Sequence, residues 1–119
     1  MENPEGKAGE AGCRCREVAG EGCGLKKVLG LVGGPWKVLI LCVLNEIGEP
    51  VRYSVLRKGI YGITSRMLAS SLRELESDGL VIRRQYMEVP LRVEYEISPK
   101  AKTLVPILME LGRWGRENL

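Results

Sequence analysis

At 119 residues, with 18 basic and 15 acidic side chains and a net charge of +3, the chain has room for one domain of ordinary size and no second folded domain. Histidine is absent, which removes the commonest general base and the commonest neutral metal ligand. No paired acids, activated nucleophile or phosphate loop stands in for it, so neither an enzyme nor a cofactor is expected.

Residues 1–22 hold five acids (Glu2, Glu5, Glu10, Glu17, Glu21) and three bases (Lys7, Arg14, Arg16), are rich in glycine and show no hydrophobic period. They read as a flexible tail with a local charge of −2, which leaves +5 for residues 23–119, the expected folded domain. The tail lacks the charged and then apolar pattern of a secretory signal. No apolar run approaches the roughly 18 residues that span a bilayer, so a cytoplasmic protein with no membrane partner is expected.

From Gly24 to Val32, the residues Leu25, Val28, Leu29 and Val32 fall at helical spacing, and Gly33-Gly34-Pro35 ends the segment. Pro35 then suits the first turn of a core helix with Trp36, Leu39, Ile40, Val43 and Ile47 as its stripe and Gly48 as its stop. Cys42 lies in this pattern and is expected to act as a small buried hydrophobe. Tyr53, Leu56 and Ile60 mark a short third helix broken by Gly59 and Gly62. Thr64 is a good N-cap for a helix from Ser65 to Asp78, whose apolar face is Leu68, Leu72 and Leu75 and which Gly79 stops.

Leu80–Tyr86 and Arg92–Ile97 read as two strands around a loop of residues 87–91. In the second, Val93, Tyr95 and Ile97 are expected inward and Arg92, Glu94 and Glu96 outward, while Arg83 is expected to face away from the core, where it either meets DNA or pairs with Glu94 or Glu96. Ser98 as N-cap and Pro99 at the first turn open one last helix, carrying Leu104, Ile107, Leu108, Leu111 and Trp114 and kinked near Pro106. Trp36 and Trp114 read as core or interface rather than as the lining of a ligand pocket.

Helix, helix, turn, helix, hairpin, helix is the order of a winged helix-turn-helix, a mainly α fold with a small β-hairpin wing, in which the second helix of the pair enters the major groove. At 100° per residue, Arg66, Ser70, Arg73 and Ser77 lie opposite the leucines, and the acids Glu74, Glu76 and Asp78 are confined to the last turns. Arg66 and Ser70 are the candidates for base edges and Arg73 for a phosphate, with Thr64, Ser65 and Ala69 on the same helix start; Arg92 at the wing is a further candidate. A merely solvated face remains open for each of them. Double-stranded DNA is the expected partner. The alternative is a winged helix used as a protein-interaction module, which would be expected to expose aromatics or leucine on that face.

The stretches Gly33–Leu41 (GGPWKVLIL), Leu56–Leu68 (LRKGIYGITSRML), Leu72–Val81 (LRELESDGLV), Glu88–Tyr95 (EVPLRVEY) and Arg113–Gly115 (RWG) closely resemble the HxlR family of bacterial and archaeal regulators. The resemblance runs from Cys23 to about Gly115. It implies a transcriptional regulator that binds a pseudo-palindromic operator as a homodimer, with terminal helices at the interface. It also implies a cysteine just before the GGxWK motif that in several members senses oxidants, and Cys23 stands at that place.

The chain departs from the family's common pattern at Gly24 and Leu91, where proline is usual, and at Ala69, Ser70 and Ser71, where larger polar residues are usual. By position, Cys23 is expected at a helix N-terminus with Lys26 and Lys27 nearby, accessible beside the flexible tail, with Cys13 or Cys15 as a resolving partner. Zinc is not expected on Cys13, Cys15 and Cys23, because no histidine completes a fourth ligand.

Overall fold

The computed structural model describes residues 23–119; the tail expected to be flexible, with Cys13 and Cys15, lies outside the described residues. The elements are α1 (Gly24–Val32), α2 (Pro35–Ile47), β1 (Val51–Arg52), α3 (Tyr53–Gly59), α4 (Ser65–Ser77), β2 (Val81–Tyr86), β3 (Arg92–Ile97), α5 (Pro99–Lys102) and α6 (Val105–Asn118). The chain divides into two compact units between Gly33 and Gly34. Helix α1 belongs to the first unit and every later element to the second.

Helix α1 begins at Cys23, whose Sγ accepts the Lys26 backbone N–H at 3.4 Å. Leu25, Val28 and Leu29 are exposed on it, and Val32 is buried.

In the second unit the core is built from the predicted stripes. Ile40, Leu41 and Leu44 of α2, Leu56 of α3 and Leu68, Leu72 and Leu75 of α4 are almost fully buried, and each such side chain contributes roughly 1.5–3 kcal/mol over its exposed state. Helix α2 packs on α4, β3 and α6. The expected stop of α4 is a Schellman turn: Gly79 takes φ +78°, its N–H donates to Glu76 O at 3.0 Å, and the Leu80 N–H donates to Leu75 O at 2.9 Å.

The sheet has three strands where two were expected, antiparallel in the order β1-β3-β2. Val51 pairs with Tyr95 and Arg52 with Glu94, so β3 is the central strand. That overturns its expected clean alternation: residues 92–96 are all half-buried, because each face is covered in part, and only Ile97 is fully inside.

The register also corrects the reading of β2. Arg83 stands opposite Tyr95 and Arg84 opposite Glu94, and residues directly opposite share a face. Arg83 is therefore on the side of Val81, Val93 and Ile97, exposed only because the hairpin projects past the core. Arg84, not Arg83, pairs with Glu96, its Nε donating to Oε2 at 2.6 Å.

The single kinked terminal helix is in fact two helices. Ser98 caps α5 as expected, accepting the Ala101 N–H at 3.1 Å, but α5 ends at Lys102 and α6 starts at Val105. Pro106 has no N–H to offer Lys102 O, and its ring crowds that carbonyl. A break, rather than a kink, results.

Candidate nucleic-acid interface

Helices α3 and α4 form a helix-turn-helix pair. The turn between them is anchored by the buried Ile60 and Ile63 and bent by Gly62 at φ +84°. Tyr53, at the start of α3, spans the pair: its hydroxyl donates to Ser65 O at 2.7 Å. Thr64 caps α4 as expected, its Oγ1 accepting the Met67 N–H at 3.1 Å. The first turn of α4 is thus held by two side chains outside the helix. From Ser65 to Ser77 it runs 13 residues, about 20 Å.

Thr64, Ser65, Arg66 and Arg73 are exposed, Ala69 and Ser70 are half-buried, and Ser71 is buried. Ser70 donates its hydroxyl to Met67 O at 3.3 Å, which leaves its lone pairs facing out. Glu74, on the last half of the helix, is met by Lys37 of α2 at 2.5 Å. That hydrogen bond and the ammonium charge behind it hold the Glu74 carboxyl below the usual carboxylate range. One of the two acids on α4 is thereby neutralised by the scaffold.

Several residues of this surface went unnoticed in the sequence. Met67 and Tyr61 are exposed, and so are two bases in the last turn of α3, Arg57 and Lys58. A charge tally by segment finds them. Val51–Arg73 contains five bases (Arg52, Arg57, Lys58, Arg66, Arg73) and no acid, which accounts for the whole +5 of residues 23–119. Concentrated like this, a mild net charge produces a strongly positive local field.

The wing is the β2–β3 hairpin with its loop at 87–91, as expected. At its base Arg92 is held from three sides: Nη2 donates to Glu88 at 2.7 Å, Nη1 donates to Glu94 at 2.9 Å, and the guanidinium lies 3.8 Å over the Tyr86 ring centroid. The two carboxylates, Glu88 first, raise its pKa further. Met87, Val89 and Leu91 are exposed around the wing tip.

Cys23 is 3% exposed, so the expected accessibility is not met; a cap position turns the thiol toward the backbone N–H groups of its own helix rather than outward. Cys42 is half-buried rather than fully so, and burial, with Glu46 nearby, pushes its thiol up. Among the described residues no three cysteines or carboxylates are grouped to hold a metal, and no single helix is long and apolar enough to cross a membrane. Two apolar surfaces stay uncovered, one in each unit. Leu25 and Leu29 form the first, on α1, and Ile107, Leu111 and Trp114 form the second along α6, with Trp114 58% exposed.

Residues 31–119 match the family of HxlR-like helix-turn-helix proteins. An uncharacterized HTH-type transcriptional regulator of Halalkalibacterium halodurans is 49% identical over 90 residues, 76% of this chain and 79% of that protein. Among solved structures, a transcriptional regulator of the MarR family from Porphyromonas gingivalis W83 superposes with a TM-score of 0.78 at 36% identity, covering 87% of this chain and 100% of that one. The redox regulator HypR in its oxidized form gives 0.71 at 37% identity, covering 82% and 98%.

Proposed function

The chain belongs to the HxlR-like helix-turn-helix family, whose members are transcriptional regulators and not enzymes, and from that premise we propose that it binds a specific, pseudo-palindromic operator in duplex DNA as a homodimer. The observation that carries this reading is the acid-free stretch from Val51 to Arg73, with Arg66 exposed on the first turn of α4 and without an ion pair among the described residues. The N-terminal part of a recognition helix is the part that reaches bases, and a positive segment there meets phosphate without repulsion. A face meant for a protein partner would carry aromatics or leucine; the first half of α4 offers arginine, serine and one methionine.

In this reading Arg66 and Ser70 face base edges, Arg73 meets a phosphate, and Thr64, Ser65 and Ala69 line the approach. The uncovered apolar surfaces of α1 and α6 support the dimer, since contiguous exposed patches mark association surfaces. Enrichment of duplexes from a random-sequence pool tests it. A two-fold-related pair of half-sites bound with a steep salt dependence is the expected result, and enrichment of no sequence would refute it.

A second reading, a response to thiol oxidation, rests on Cys23 at the helix N-cap, where the Lys26 N–H donates to Sγ. HypR, a redox regulator by name, has the same fold. Burial of Cys23 means that any such response needs the thiol to be uncovered first. Diamide treatment of the parent and of Cys23→Ser, followed by duplex affinity, decides it: equal affinities before and after, with the thiol modified, would end this reading.

A further inference from the structure

Arg92 stands where a wing arginine would meet DNA, yet two of its five N–H groups and one face of its guanidinium are already engaged. Glu88 and Glu94 take one Nη each, at 2.7 and 2.9 Å, and Tyr86 carries the flat of the guanidinium at 3.8 Å. Two carboxylates outweigh one guanidinium, so the cluster as a whole is negative. The hairpin from Val81 to Ile97 has three bases (Arg83, Arg84, Arg92) and three acids (Glu88, Glu94, Glu96), and Arg84 is bound to Glu96. Of the wing arginines only Arg83 has no ion pair among the described residues.

A phosphate could reach the remaining N–H groups only beside Glu88 and Glu94, which would repel it, or by pulling Arg92 from both carboxylates and leaving them facing a polyanion. That exchange is unfavourable, because charge-assisted hydrogen bonds are the strong ones and the abandoned acids would then repel the duplex. The geometry is instead that of a clamp. Arg92 and Tyr86 are directly opposite on the last rung of the hairpin, Glu88 lies in the loop just beyond, and Glu94 lies two rungs inward on the same face. One planar fork ties the loop to the ladder.

We propose that Arg92 is a positioning residue that fixes the wing, through Glu88, Glu94 and Tyr86, at the angle at which its loop meets the DNA, and that it neutralises no phosphate itself. This rests on the DNA-binding reading above.

The fork and the charge separate the two roles. Arg92→Lys keeps the positive charge but lacks the planar, bidentate fork, and Tyr86→Leu keeps all three charges but removes the ring. With the enriched duplex, each variant is expected to bind about tenfold more weakly, since Arg and Lys are not interchangeable at a bidentate, stacked site. Random-sequence binding and the salt slope should stay at the parent's values. Without DNA, wing amides 82–96 should exchange hydrogen faster in both variants.

Parental affinity in Arg92→Lys would overturn the proposal, as would a salt slope lower by about one phosphate, or unchanged exchange in the wing. If the parent enriches no sequence, the DNA-binding reading falls. The DNA-free exchange comparison then still decides whether Arg92 sets the wing.

Discussion

Arg66 and Arg73 lie on one exposed helix face seven residues apart, and their surroundings differ. Arg66 extends from the first turn, beside the N-cap Thr64, with no ion pair among the described residues, whereas Arg73 adjoins Glu74 and contributes to holding that carboxyl ionised. Arg66→Ala is expected to cost about 1–3 kcal/mol on the enriched duplex and to relax base preference at one position. Arg73→Ala should weaken all sequences alike and lower the salt slope by about one. Equal losses for both on specific and random DNA would show that the assignment is wrong.

At this scale the sequence was a good guide wherever a residue acts through its own backbone. Thr64, Gly79 and Ser98 punctuate helices by chemistry contained within three or four positions, and each sits in its expected place. Residues whose role depends on a partner far along the chain were not legible. Lys37 gives no sign of Glu74, 37 positions on, and Arg84 was passed over for Arg83 because strand parity is fixed by register rather than by composition. The accessibility of Cys23 failed for the same reason, since exposure belongs to the tertiary surroundings.

Among the elements, the ion pair from α2 to α4 makes a pH-dependent contribution of known sign. The folded-state pKa of Glu74 is lowered, chiefly by its hydrogen bond to Lys37. Its stabilising effect is therefore fully present above the unfolded carboxylate value of about 4.3 and is lost as the pH falls through the lower folded value. Glu74→Gln should melt below the parent at pH 7, and the gap should close as the solution is acidified past that window. A gap that persists in acid would mean that the residue acts through packing.

The long helices were legible because apolar residues recur over two or more turns. β1, with two residues, has no period to recognise, and it exists only because β3 offers a free edge. The break between α5 and α6 was visible as Pro106 but misjudged in degree. Proline marks a weak point, and the flanking Thr103 and Leu104 decide whether the helix resumes in line. Thr103 closes α5 with its own hydroxyl, which donates to Lys100 O at 2.7 Å, so the turn is completed before α6 begins.

On the scale of the whole molecule, Ile107, Leu111 and Trp114 lie four and three residues apart on α6 and form one exposed stripe. Charging it should separate protomers without unfolding them, because none of the three belongs to the core. Ile107→Glu with Leu111→Glu is expected to sediment as a monomer at micromolar protein, with unchanged far-ultraviolet dichroism and much weakened binding to a two-half-site duplex. An undiminished dimer would place the interface elsewhere.

Ser98 joins that stripe to the recognition helix. Its hydroxyl donates to Gly79 O at 2.8 Å and accepts the Ala101 N–H, while its own N–H donates to Leu80 O at 3.1 Å. One buried residue thus closes the end of the sheet, starts α5 and fastens both to the turn that ends α4. Ser98→Ala strips the cap and orphans a carbonyl, and a loss of about 1–3 kcal/mol in denaturant titrations is expected. The arrangement works as a rivet through three plates: what tilts the terminal helices must carry the rear of α4 with them. In the proposed dimer, a tilt of the terminal helices would then change the spacing of the two α4 helices, with a single hydroxyl as the point of transmission.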